Sequence, residues 1–170
     1  ISLEGHGRER IIKNVDISRT VGWFTTKYPV YINLGDEKDL SMTIKTVKES
    51  LRRIPNKGIG YGVLKQLSGD PDLWNIEQPP ILFNYLGQMD TDLNNTIFSS
   101  SWISAGESIG GKHIRETPIE MNAIVLDGKL TIDTTYNTKV YAEDVVVEFT
   151  EAFKAALLDV IHHCISKEQA

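Results

Sequence analysis

Leu3 to Glu9 reads LEGHGRE, placing two carboxylates, an imidazole, a guanidinium and two glycines within seven positions. Carboxylate and imidazole can exchange protons near neutral pH after modest tuning, so Glu4, His6 and Glu9 are candidate acid/base groups. Gly5 and Gly7 remove side-chain bulk and allow a ligand to approach the backbone. On a strand, Glu4, His6 and Arg8 share one face, and Gly5, Gly7 and Glu9 the other. Composition alone favours a plainer reading, an exposed and charged strand end.

Three further groupings are candidates. Gly58 to Gly62, GIGYG, looks like half of a phosphate-binding loop. Its spacing is G-x-G-x-G, and a helix rather than a strand precedes it, so a tightly packed or flexible helix connection is the better reading. Phe83 to Gln88, FNYLGQ, sets an amide beside a phenol at a strand end. Alternation sends Asn84 and Tyr85 to opposite faces unless the strand bends, and each needs a polar partner where buried. His162 and His163 stand near a helix end, where the dipole favours imidazole, without Cys or carboxylate at metal-ligand spacing. Their role reads as structural. No G-x-S-x-G elbow supports serine catalysis, and Ser99 to Ser104 reads as a loop entering a strand.

The elements that must position these groups follow from periodicity. Residues 2–8 form a short strand. Thr20 to Leu34 is rich in aromatic and β-branched residues, and Pro29 puts that strand at a sheet edge or a bend. Leu40, Ile44, Val47, Leu51 and Ile54 make one helical stripe, which Pro55 stops. A short helix is expected over 61–67, a loop over 68–74, a buried strand over 81–85 and a polar turn over 90–95. Two strands, 120–126 and 129–136, meet at Asp127-Gly128, a dipeptide suited to a tight hairpin. The last helix spans about 142–166, with Val146, Phe149, Phe153, Leu157, Val160 and Cys164 as its apolar stripe.

The chain has 170 residues, 41% apolar and 24% charged, the balance of one α/β unit with a real core. A net charge of −5 argues against nucleic acid as partner. No apolar run reaches membrane-span length, and no secretory leader is visible. One cysteine, Cys164, excludes an internal disulfide and makes a reducing, cytoplasmic setting the default. Because it opens on Ile1 inside a strand pattern, the chain is expected to be an internal piece of a longer polypeptide.

In order, EGHGRE at 4–9, RTVGWFTTKYP at 19–29, PNKGIGYG at 55–62 and FNYLGQ at 83–88 closely resemble the later motifs of epimerization domains in nonribosomal peptide synthetases. The resemblance extends through the LDGKL hairpin and the terminal helix. It implies a two-lobed, chloramphenicol-acetyltransferase-like α/β sandwich related to condensation domains, with the active site in a tunnel between the lobes. This chain resembles the C-terminal lobe only, a mixed sheet with flanking helices. The motif H-H-x-x-x-D-G of the N-terminal lobe is absent, and HHCISKE at 162–168 matches it only in its first two letters.

The resemblance also implies a reaction: inversion of the α-carbon of an aminoacyl or peptidyl thioester carried on the phosphopantetheine arm of a carrier protein. No cofactor is needed within this lobe. By match of motif, Glu4 is the catalytic glutamate and Tyr85 a tyrosine of the site. Asn84, His6 and Arg8 are expected to support substrate and electrostatics. The expected partners are the missing lobe, a peptidyl carrier protein and a downstream synthetase module. The lobe alone is expected to be inactive. Two other readings stand beside this one, a condensation-type acyltransferase lobe and a non-catalytic carrier-docking module.

Overall fold

The hairpin expected at Asp127-Gly128 is present. Both residues have positive φ, 51° and 68°, as the two central positions of a type I′ turn require. The computed structural model describes residues 1–89, 103, 106, 110 and 114–168. The turn joins strand β4 (Ile119–Leu126) to strand β5 (Lys129–Tyr136), paired from Leu126↔Lys129 to Ile119↔Tyr136. With β1 (Ser2–Gly5), β2 (Thr26–Pro29) and β3 (Ile81–Gln88) they form a five-stranded sheet in the order β2-β1-β3-β4-β5. β1, β3 and β4 run parallel, while β2 and β5 are antiparallel edges. Pro29 thus sits on an edge strand, where a missing N–H breaks no central ladder.

Helix α1 (Leu40–Arg52) starts where the Asp39 carboxylate accepts the Ser41 N–H at 2.8 Å, and it ends before Pro55. A 3-10 turn (Pro55–Gly58) leads into α2 (Gly60–Leu67), followed by a single helical turn, α3 (Pro71–Trp74). Glu143 and Asp144 open the long helix α4 (Glu143–Glu168) on the dipole's positive end.

The strand registers sort the side chains. Leu3, Phe83, Met121 and Thr134 share one face, and Glu4, Asn84, Asn122 and Asp133 the other. Ile119, Met121 and Ala123 are buried on the first face. There α4 brings Phe153 to Phe83, with ring centroids 6.5 Å apart. The expected stripe of α4 holds from Val146 to Val160, all buried or half-buried, but Cys164 is exposed. His163 takes its place, half-buried, with Nε2 2.8 Å from the Ser41 hydroxyl of α1. The imidazole thus ties two helices together.

Several boundaries differ from the sequence pattern. β1 stops at Gly5 rather than continuing to Arg8, because Gly7 turns the chain at φ 65°. Only 26–29 of the expected 20–34 forms a strand, because its partner β1 ends at Gly5, opposite Thr26. Asp70 caps the short α3 within the expected loop. The expected turn at 90–95 lies outside the described residues, as does the 99–104 segment apart from Ile103. Among the described residues no helix is long and apolar enough to cross a membrane.

Candidate active site

Glu4 stands at the carboxyl end of β1, with its side chain only 16% exposed. Antiparallel pairing sets it opposite Lys27 of β2, and the Lys27 ammonium lies 3.8 Å from Glu4 Oε1. That ammonium also binds Glu116 Oε2 at 3.2 Å. On the other flank is β3, parallel to β1, with Asn84 on the same sheet face.

Beyond Gly5 the backbone leaves strand geometry, so His6 and Arg8 do not share the Glu4 face by alternation. A Cβ at Gly7 would collide with the Phe24 carbonyl oxygen, and φ there is already left-handed. The Arg8 guanidinium donates to the carbonyls of Ile17 at 2.7 Å and Thr20 at 2.8 Å and stacks 4.3 Å above the Phe24 ring. Nη1 makes both bonds, so this edge of the guanidinium clamps two loop carbonyls of the chain itself. His6 is exposed. Its Nδ1 accepts the Arg8 N–H at 3.0 Å, which leaves the ring proton on Nε2, 3.2 Å from Glu9 Oε1.

Glu9 links this loop to the turn after α1 through Lys57, at 3.0 Å. Asn56, Lys57 and Gly58 have φ of 46°, 52° and 81°, a left-handed run that lays Gly58 flat on the Tyr28 ring. A Cβ at Gly58 would enter that ring. The Tyr28 phenol is pushed above its ordinary pKa, first by burial and then by the Glu9 carboxylate, with Lys57 acting in the opposite direction. Three separated motifs therefore meet: EGHGRE, the Thr20–Pro29 segment and PNKG. The GIGYG run is a helix connection packed at Gly58 and open at Gly60 and Gly62, with no strand leading into it.

On β3, the Asn84 amide donates to Asn122 Oδ1 of β4 at 3.1 Å. Tyr85, next along, lies on the α4 face and is 54% exposed. Regular pairing with β4 shifts after Tyr85, and Gly87 adopts φ 91°. β3 runs on to Gln88, so Asn84 and Tyr85 lie mid-strand rather than at the expected strand end, and Tyr85 and Glu4 are on opposite faces of the sheet. Lys27 and Asn122 went unnoticed in the sequence. Each is a polar residue inside a strand, and only the pairing register shows what it faces.

Part of bacitracin synthase 3 from Bacillus licheniformis is 58% identical over 169 residues, which is 99% of this chain and 3% of that protein. Gramicidin S synthase 1 from Brevibacillus brevis is 44% identical over 179 residues, covering 99% of this chain and 16% of that protein. The crystal structure of the epimerization domain from the third module of tyrocidine synthetase B superposes with a TM-score of 0.84 and 38% identity. That match takes in 98% of this chain and 38% of the domain. The Condensation domain family profile matches residues 1–170. The chain belongs to the condensation domain family.

The fold expected from the motifs is the fold found: a mixed sheet with flanking helices, like the C-terminal lobe of an epimerization domain. The relatives are nonribosomal peptide synthetases, and the chain spans only a small part of each. In this condensation domain chain, the family-like motifs of the first 62 residues serve largely to knit the loop after β1 against β2 and the PNKG turn. Glu4 emerges from that knot as the half-buried carboxylate at the end of β1.

Proposed function

We propose that this condensation-family chain is the C-terminal lobe of an epimerization domain, in which Glu4 exchanges the α-proton of a carrier-bound aminoacyl or peptidyl thioester. The observation that carries this reading is the placement of Glu4: a half-buried carboxylate at a strand end, steadied by one lysine, in a chain so similar to a solved epimerization domain.

A thioester acidifies the neighbouring C–H because the carbanion delocalises onto its carbonyl oxygen as an enolate. One group removes the proton as the Cα–H bond breaks, and another delivers a proton to the opposite side. Nothing is oxidised or reduced. Glu4 is one of these groups. The other is the second histidine of H-H-x-x-x-D-G in the N-terminal lobe. Tyr85, on the opposite face of the sheet, donates to the enolate oxygen or orients the thioester, and Asn84 supports the substrate on the Glu4 face. Arg8 and His6 shape the loop through their contacts within the chain. Val21 and Trp23, 98% and 90% exposed, give an apolar ledge of the kind a second lobe covers. The substrate arrives on a carrier protein's phosphopantetheine arm, and a downstream module receives the product.

The test uses the complete two-lobed domain with a carrier-bound L-aminoacyl thioester in deuterated water. Glu4→Gln should lower α-proton exchange by roughly 10²-fold or more while carrier binding persists. Near-normal exchange would remove Glu4 from the chemistry. Condensation-type acyl transfer is the second reading, favoured by the family profile itself. Formation of D-residue with no acceptor present separates the two.

A further inference from the structure

We infer that Lys27 is a positioning residue for Glu4 and is itself held by Glu116, so that a three-member ion chain fixes the direction of the reactive carboxylate. This rests on the reading of Glu4 as the proton-exchanging group. The cross-strand pair Glu4↔Lys27 fixes the two side chains side by side on one face of the β1–β2 ribbon. Lysine alone is a poor anchor, since its charge rides on a flexible four-carbon stem. Here the stem is tethered at its tip. Glu116, just before the buried Thr117, accepts from Lys27 Nζ at 3.2 Å, and Glu4 Oε1 lies 3.8 Å from the same nitrogen.

The neighbouring charges are engaged elsewhere. Lys65 of α2 lines the same cleft of about 410 Å³ as Lys27, Tyr61 and Glu116, but it donates to the Ile76 carbonyl. Lys57 and His6 pair with Glu9. Asn84, the neighbour on β3, donates to Asn122. Among the described residues, Lys27 is the cation within ion-pair distance of Glu4. With Oε1 turned toward that charge, Oε2 is the oxygen left for the substrate. Orientation of this kind counts in the turnover step, because a rotated carboxylate still lets substrate bind but meets the C–H poorly.

In the complete domain, Lys27→Met should lower kcat for α-proton exchange roughly three- to tenfold with KM unchanged, a modest effect because Lys27 is 47% exposed. Lys27→Arg should restore most of the rate, and Glu116→Gln should give a smaller loss in the same direction. Added to Glu4→Gln, Lys27→Met should cost nothing further. An unchanged kcat in Lys27→Met, a rise in KM instead, or an undiminished loss in the Glu4→Gln background would each overturn the inference. If Lys27→Met does not fold, the same three measurements are made on Lys27→Gln. Near-normal exchange in Glu4→Gln alone would instead overturn the reading of Glu4, and this inference with it.

Discussion

The two ends of the sheet are held together by different physics. At the β1–β2 end, backbone lies directly on backbone or ring, as at Gly7 on Phe24 and Gly58 on Tyr28. Charges stitch the gaps: Arg8 to two carbonyls, Glu9 to Lys57, Lys27 to Glu4 and Glu116. At the β4–β5 end, alternating apolar residues of a plain hairpin meet one long helix, and Phe83 meets Phe153. The first arrangement leaves no room for a side chain at Gly7 or Gly58 but buries few apolar side chains. The second buries apolar surface and tolerates small shifts. The carboxylate proposed to do the chemistry, Glu4, lies at the first end, and much of the core at the other.

Three substitutions measure that contrast. The largest effect is expected from Gly7→Ala, which needs a left-handed alanine and a displaced Phe24 carbonyl at once. A loss of roughly 3 kcal/mol or more, or failure to fold, should show in thermal melts of the complete domain. Ordinary stability would mean that the knot is looser than its contacts imply. Phe153→Ala comes next, since it removes a half-buried ring beside a cavity of about 610 Å³ already present between α4 and the sheet. A cost of about 2 kcal/mol in denaturant midpoint is expected, with α-proton exchange per folded molecule unchanged. A selective loss of exchange would show that the two ends are coupled. Gly62→Ala is the mildest. It lies within α2, four residues after the intolerant Gly58, and a Cβ there meets nothing within 4 Å. It should stabilise by roughly 0.5–1 kcal/mol; a destabilised variant would show that the space above Gly62 is occupied in the full protein.

The helices and the hairpin were legible because their signals are local. Asp127-Gly128 dictates its own turn, and the apolar spacings of α1 and α4 name the faces turned inward, although Leu51 of the α1 stripe is exposed. Where the stripe failed, at Cys164, a polar contact between His163 and Ser41 had displaced it, and no periodicity encodes such a contact. The strand ends were misjudged for a related reason. A run of strand-forming residues from Thr20 pairs only from Thr26, since its partner β1 ends opposite it at Gly5, before the chain turns at Gly7.

The candidate residues divide in the same way. Their motifs were legible, but Glu4 stands near the carboxyl end of β1, whereas Asn84 and Tyr85 lie in the middle of the neighbouring parallel strand β3. His6 and Arg8 were expected beside Glu4, because a strand continued to residue 8 would have put them there. The left-handed turn at Gly7 directs them instead to Glu9 and to the loop carbonyls.

By itself, the sequence determined the element types, the order of the motifs and the family they resemble, since each is written in short-range spacing. Only the tertiary structure decided that Lys27 faces Glu4, that Asn84 meets Asn122, and that Glu4 and Tyr85 lie on opposite faces of one sheet. Strand register sets those relations, and register is a long-range property fixed by how distant segments pack.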